Sequence, residues 1–210
     1  MREIARWADI PLINLQCDVD HPTQTLADLM TLRETLGHDL HGLKVAVTWA
    51  YAPSYAKPMS VPQGLAMLLP RFGIDVTLAH PPGFDLMPET LEKAAAGAEE
   101  GGGSVTFVDS MEEAFAGADV VYPKSWGSLQ AFADEAAGLA HARQFEDWIC
   151  DAQKMALAKP EALYMHCLPA DRGHEVTDEV IDGQQSVVYP EAENRMHTGK
   201  ALMALTMGGY

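Results

Sequence analysis

From Leu43 onward, short runs rich in β-branched and aromatic residues alternate with stretches of helical periodicity, and no other feature of the sequence restricts the fold as much. The runs Lys44–Trp49, Ile74–His80, Ser104–Val108, Asp119–Tyr122, Ala162–Cys167 and Ser186–Tyr189 read as strands. Pro62–Phe72, Pro88–Glu100, Ser110–Ala116, a long stretch from about Leu129 to Ala158, and Thr177–Ile181 read as the helices between them. Strands that alternate with helices predict an α/β fold, a Rossmann-like parallel sheet with helices on both faces. Ser110 and Glu113 have capping-box spacing, and Gly73 stands where a helix stops. Pro70 conflicts with the last turn of the Pro62–Phe72 pattern, because it removes a backbone donor there. Ahead of the sheet, Pro22 stands at a helix start, Leu26, Leu29, Met30 and Leu36 recur at helical spacing, and Gly37 ends the run. A final helix is expected from Glu191 to about Met207, with Ala201, Leu202 and Leu205 apolar.

Composition narrows the function classes. With 210 residues, 48% of them hydrophobic, the chain can bury a substantial core. Apolar runs are broken by charge or proline well before the ~18 residues that a membrane span needs. Met1-Arg2-Glu3 leads into polar text, not an apolar signal segment, so a cytoplasmic protein without membrane association is expected. Cys17, Cys150 and Cys167 are widely spaced and odd in number, which predicts reduced thiols. A formal charge of −16 repels nucleic acid and anionic membranes, so an anionic ligand must be met by a local cluster of the few cations.

In an open parallel sheet, ligands bind beyond the carboxyl ends of the strands. The loops that matter are therefore Ala50-Tyr51-Ala52-Pro53-Ser54-Tyr55-Ala56-Lys57-Pro58, Pro81-Pro82-Gly83, Pro123-Lys124-Ser125-Trp126 and Leu168-Pro169-Ala170-Asp171-Arg172. A Gly-x-Gly-x-x-Gly turn after the first strand is absent, which argues against a dinucleotide oxidoreductase. His21-Pro22-Thr23-Gln24 places an imidazole at a helix start whose unpaired N–H groups favour an anion, although the same residues suit a plain helix start. His166-Cys167-Leu168-Pro169 ends a strand. A buried structural cysteine, a cysteine nucleophile, and a metal site of His166, Cys167 and His174 are all open readings, but no base is evident and adjacent strand residues diverge. Glu193-Asn194-Arg195-Met196-His197 could be a solvated helix face, yet the fork of Arg195 suits phosphate or carboxylate.

Three of these motifs lie in order across nearly the whole chain: Asp20-His21-Pro22-Thr23-Gln24-Thr25-Leu26-Ala27-Asp28-Leu29, Met165-His166-Cys167-Leu168-Pro169-Ala170 and Glu191-Ala192-Glu193-Asn194-Arg195-Met196-His197. Together they resemble the ornithine and aspartate carbamoyltransferases. Thr48-Trp49-Ala50, the proline-bearing loop to Val61-Pro62-Gln63-Gly64, and Tyr122-Pro123-Lys124-Ser125-Trp126 are similar to the knotted branch that includes the N-acetylornithine carbamoyltransferases. The resemblance implies transfer of a carbamoyl group from carbamoyl phosphate to the amine of an ornithine-like amino acid, with no cofactor and no metal. It also implies a homotrimer whose sites are shared between neighbouring subunits, and a knot crossing in the loop from Ala50 to Val61. By the same resemblance, residues 1–36 are a remnant of the carbamoyl-phosphate domain with its linking helix, 37–190 the acceptor domain, and 191–210 a helix returning to the first domain. His21, Pro22, Thr23, Gln24, Cys167, the backbone of Leu168, and Arg195 would meet carbamoyl phosphate, with Cys167, Arg195 and His21 nearest the chemistry.

Two departures from the family pattern shape the expectation. The first-domain Ser-x-Arg-Thr-Arg phosphate loop has no match here, so the chain alone is expected to be inactive unless a first-domain polypeptide supplies it. The Asn that grips ornithine and the Asp-x-x-x-Ser-Met loop of the free-ornithine enzymes are also missing; Gln63, Lys124, Ser125 and Trp126 stand in those neighbourhoods and are the expected acceptor-binding residues. The alternative is a non-catalytic amino-acid-binding or regulatory subunit derived from the same fold.

Overall fold

Strands β1 (Lys44–Trp49), β2 (Asp75–Ala79), β3 (Ser104–Val108), β4 (Val120–Lys124) and β5 (Leu163–Tyr164) pair in parallel in the order β3-β2-β1-β4-β5. The structure is a computed structural model and describes residues 1–54 and 56–208, with Phe132 described by its backbone alone; Tyr55 of the loop after β1 lies outside the described residues. Val45, Val47 and Trp49 of β1 pack into one core with Leu65 and Leu69, whereas Ala46 and Ala50 join Phe115, Val121 and Ile181 in a second core. Both faces of the sheet are therefore buried at β1 and β4, which is why those strands read as nearly unbroken apolar runs, whereas the edge strand β3 leaves Thr106 and Phe107 exposed.

Helices α1 (Arg2–Trp7) and α2 (Pro22–Leu36) precede the sheet. Helices α3 (Ser60–Leu68) and α4 (Pro88–Gly101) supply the first core, and α5 (Met111–Phe115), α7 (Ala152–Met155) and α8 (Asp178–Ile181) the second. Helix α6 (Glu135–Ala142) follows β4, and α9 (Val188–Met207) closes the chain against α2. Ser110 caps α5 by accepting from Glu113 N–H at 3.1 Å. The Pro70 conflict resolves as a change of helix type: α3 stops at Leu68, Leu69–Phe72 forms a 3₁₀ turn with Pro70 at its start, and Gly73 turns left-handed at φ +75°.

Three expectations need correction. The stretch from Leu129 to Ala158 is not one helix, because Asp134 and Asp151 each cap a new one, accepting from Ala137 N–H and Lys154 N–H, and Cys150 N–H leaves to bond Glu175 O. Ser186–Tyr189 is not a strand: Ser186 makes only an isolated bridge to Tyr164, and α9 begins at Val188, where the Glu191 N–H···O Val187 helical bond outweighs the β preference of Val187-Val188. Strand β5 stops short of Cys167 because His166 N–H donates to the Glu191 side chain and not to a neighbouring strand.

Helix α2 buries a mostly polar face. Thr23, Gln24, Asp28 and Thr31 are buried, while Leu26 and Leu36 are exposed. The reason is the polar seam of α9: Asn194 Nδ2 donates to Thr31 Oγ1 at 2.9 Å and Glu34 Oε2 at 2.8 Å, and Thr198 Oγ1 donates to Thr23 O at 3.1 Å. Of its apolar residues, Leu29 and Leu32 join the first core, while Leu26 and Met30 line, with Leu202 and Leu205, an open groove of about 740 Å³.

Candidate active site

Strand order reverses at β1, with β2 on one side and β4 on the other, and at this switch the loops leaving the carboxyl ends of β1, β4 and β5 converge. They enclose a cavity of about 310 Å³ lined by Gln16, His21, Lys57, Pro58, Val61, Lys124, Cys167, Leu168, Pro169 and Arg195. Of the residues singled out in the sequence, His21, Lys124, Cys167, Leu168 and Arg195 meet here. Thr23 stands behind His21, its hydroxyl 3.3 Å from Nδ1, and Pro22 faces a separate groove with Asp20 and Gly64. Gln24 is fully buried behind the wall, its amide nitrogen donating to Asp28 and Glu191.

The other expected acceptor residues do not line the cavity. Gln63 is saturated: its Nε2 donates to Asp18 O and Val19 O, and its Oε1 accepts from Met87 N–H and Thr90 Oγ1. Trp126 packs in the core and donates from Nε1 to Phe84 O at 2.8 Å. Ser125 is buried and gives its N–H to Glu175 Oε1.

Glu175, fully buried, organises one side of the cavity wall. Its Oε2 accepts from Lys57 Nζ at 2.6 Å and Asp171 N–H at 2.7 Å; its Oε1 accepts from Ser125 N–H at 2.6 Å and lies 3.5 Å from Lys124 Nζ. Asp171 Oδ2 is 3.0 Å from Lys57 Nζ. Burial opposes charge on Glu175, but Lys124, His166 and Lys57 outweigh it and hold the carboxyl well below the usual range. Burial likewise opposes charge on Lys57, and Glu175 and Asp171 reverse the balance, raising its pKa. His166 is fully buried: Nδ1 accepts from Leu168 N–H at 2.9 Å, so the proton sits on Nε2, 3.4 Å from Glu175 Oε1. With both its nitrogens engaged, it builds no metal site with Cys167 and His174, and among the described residues no group of three His, Cys, Asp or Glu side chains could hold a metal ion.

On the opposite side, burial and the charge of Arg195 lower the His21 pKa to about 4, so the imidazole is neutral at pH 7. Burial pushes the Cys167 thiol up to about 12, which leaves it protonated. Leu168 has φ +48°, unusual for a side chain with a Cβ, so the turn after Cys167 is held by its surroundings, His166 Nδ1 among them.

Residues 42–206 match the family described as aspartate/ornithine carbamoyltransferase, Asp/Orn binding domain, and residues 1–34 match its carbamoyl-P binding domain. The chain belongs to the aspartate/ornithine carbamoyltransferase family. It is 48% identical over 206 residues to a protein of Escherichia coli (strain K12) named "Putative carbamoyltransferase YgeW", covering 86% of this chain and 52% of that one. The ornithine carbamoyltransferase of Methanoculleus marisnigri is 39% identical over 209 residues, covering 100% and 63%. A crystal structure of acetylornithine transcarbamylase complexed with acetylcitrulline superposes with a TM-score of 0.92 at 37% identity, covering 98% of this chain and 61% of that one. The chain thus spans about half to two thirds of the length of these carbamoyltransferases. No helix among the described residues is long and apolar enough to cross a membrane.

Lys57, which lines the cavity, and Glu175 and Glu191, which are buried behind it, were not among the candidate residues read from the sequence. Glu191 stood inside a quoted motif without a role, and Lys57 inside a quoted loop. The available signal for Lys57 was its rarity: the chain has only 14 Lys and Arg. Nothing local marks Glu175, whose partners are supplied by loops up to 118 positions away.

Proposed function

We propose that the chain carries the acceptor half of a carbamoyltransferase, moving the carbamoyl group of carbamoyl phosphate to the amine of an ornithine-like amino acid. One observation carries the reading: in a chain of net charge −16, Lys57, Lys124 and Arg195 share one cavity with a neutral imidazole and a protonated thiol. Arg195 makes a bidentate grip on the phosphate. His21 donates to the carbamoyl oxygen, where negative charge develops as the amine attacks. The amine nitrogen bonds to the carbamoyl carbon, the carbon–oxygen bond to phosphate breaks, and the departing phosphate takes the amine proton. Cys167 and the Leu168 backbone orient the reacting groups, and a protonated thiol forms no carbamoyl-thioester. Lys124 meets an anionic part of the acceptor. The remaining phosphate contacts come from a carbamoyl-phosphate domain seated on the apolar groove between α2 and α9, in a cytoplasmic homotrimer. The loop from Ala50 to Val61 forms a knot crossing where Lys57 grips Asp171 and Glu175.

The chain alone and the chain supplied with a carbamoyl-phosphate domain should be assayed for ureido product with carbamoyl phosphate and a panel of amino-acid amines. Little turnover alone and turnover on complementation are expected. Tens of turnovers per second from the chain alone, a rate typical of enzymes, would sink the need for a first domain. Amino-acid binding without any turnover in the complemented protein would point to a binding or regulatory subunit.

A further inference from the structure

Behind the cavity wall lies a polar cluster that the reaction above does not use. Gln24 and Asp28, one turn apart on α2, and Glu191, in the first turn of α9, are at most 1% exposed. The Gln24 amide nitrogen donates to Asp28 Oδ1 at 2.8 Å and to Glu191 Oε1 at 3.1 Å, so a single –NH₂ group lies between two carboxyl groups. Glu191 Oε1 also accepts from Tyr122 OH at 3.0 Å, and Glu191 Oε2 accepts from His166 N–H at 2.9 Å. Among the described residues, no ion pair involves either carboxyl. Asp28 Oδ2 and Gln24 Oε1 are buried without a hydrogen-bond partner.

Two adjacent carboxylates with no ion-pair partner, the charge of Arg195 favouring only the ionised form of Asp28 and outweighed there by burial, cannot both stay ionised in so dry a place, and a proton on one supplies the donor that the cluster lacks. Burial raises the pKa of both carboxyls, and at Glu191 the charge of Asp28 adds to the effect. The partners of Glu191 also share a position in the chain relative to the cavity. Gln24 follows His21 by three residues, Tyr122 precedes Lys124 by two, His166 precedes Cys167 by one, and Arg195 lies one helical turn beyond Glu191 itself.

We propose that Asp28 and Glu191 share one proton and act as positioning residues, a clamp joining α2, β4, the turn after β5, and α9 so that His21, Lys124, Cys167 and Arg195 face one cavity. The bearing on ligand affinity rests on the carbamoyl-phosphate reading; the clamp does not. A carboxamide at position 28 supplies permanently the N–H that the shared proton supplies in the natural protein, so Asp28→Asn should be tolerated. Glu191→Asp, one methylene shorter, should fold but lose reach to Tyr122 or His166.

Three measurements on the full chain test the clamp. Infrared spectra at pH 7 should show one protonated buried carboxyl, absent in Asp28→Asn and in Glu191→Gln; a natural protein without that band overturns the shared proton. Backbone amide resonances of His21, Lys124, Cys167 and Arg195 should shift together in Glu191→Asp and stay near their natural positions in Asp28→Asn. Unshifted cavity residues in a folded Glu191→Asp protein, or Asp28→Asn disturbing them as much, overturn the positioning role. Titration of the chain complemented with a carbamoyl-phosphate domain should then give roughly tenfold weaker binding of inorganic phosphate for Glu191→Asp, the scale of one lost charged hydrogen bond. If the natural complemented protein binds no phosphate while the first two results hold, the carbamoyl-phosphate reading fails and the clamp stands; equal phosphate affinity in both proteins overturns the clamp's bearing on the site.

Discussion

At Glu175, burial and charge pull in opposite directions, and the two lysines decide the outcome. The carboxyl has no contact with water, yet Lys124, His166 and Lys57 keep it ionised. Replacing it by Gln leaves Lys57 and Lys124 buried with less countercharge, so Glu175→Gln should lower unfolding free energy by about 3–5 kcal/mol in a urea titration. Because its folded pKa lies below the unfolded one, its stabilisation is present above the ordinary carboxylate range and fades as pH falls toward the folded value. His21 titrates with the same sense of pH but in another window. Its folded pKa of about 4 lies below the ordinary imidazole value of 6.5, so between these values the unfolded chain binds the extra proton and stability falls with falling pH. The slope is at most about 1.4 kcal/mol per pH unit. A melting-temperature series from pH 8 to 4 should show this loss, and His21→Gln should remove its share; a variant that follows the natural profile would refute the assignment.

Among the elements, α2 and α3 approach closely at Gly64. A Cβ there would lie 2.6 Å from Thr25 Cγ2 and 2.9 Å from Asp20 Oδ1. Gly64→Ala should therefore push the start of α2, which carries His21, away from the sheet at a cost of about 1–3 kcal/mol. Guanidinium unfolding measures the cost, and a phosphate titration of the variant reads the displacement of His21. The seam on the other side of α2 shows what helical periodicity misses. The spacing of Leu26, Leu29, Met30 and Leu36 foretold a helix that does form, but Asn194 and Thr198 draw its polar face inward, and Leu26 lies on the outer groove. The Leu129–Ala158 pattern failed for a related reason: aspartates 134 and 151 are ordinary helix residues by periodicity and become caps only once the chain turns at them.

For the whole molecule, the charge of the cavity bears on which acceptor the proposed reaction would take. Lys57 and Lys124 both face the cavity, and neither repels a carboxylate, whereas an α-ammonium beside them would be repelled. In the protein complemented with a carbamoyl-phosphate domain, kcat/KM should be higher for N-acylated ornithines than for free L-ornithine. Selective use of free ornithine would show that the lysines are neutralised by Glu175 and Asp171 and do not choose the acceptor. The cavity also separates what could be read from the chain and what could not. Parallel strands, their helices, the three ordered motifs, and His21, Lys124, Cys167, Leu168 and Arg195 were legible in the sequence, because period, capping and motif chemistry are local properties. Gln63, Ser125 and Trp126, expected to bind the acceptor, do not line the cavity, and partners on other elements use their polar groups. Glu175 and the Asp28–Glu191 pair became visible only in three dimensions, and Lys57, marked in the sequence only by its rarity, took its place there through Glu175 and Asp171. The charge a buried group can carry depends on partners brought to it by the fold, and the partners of Glu175 and Glu191 come from segments far apart in the chain.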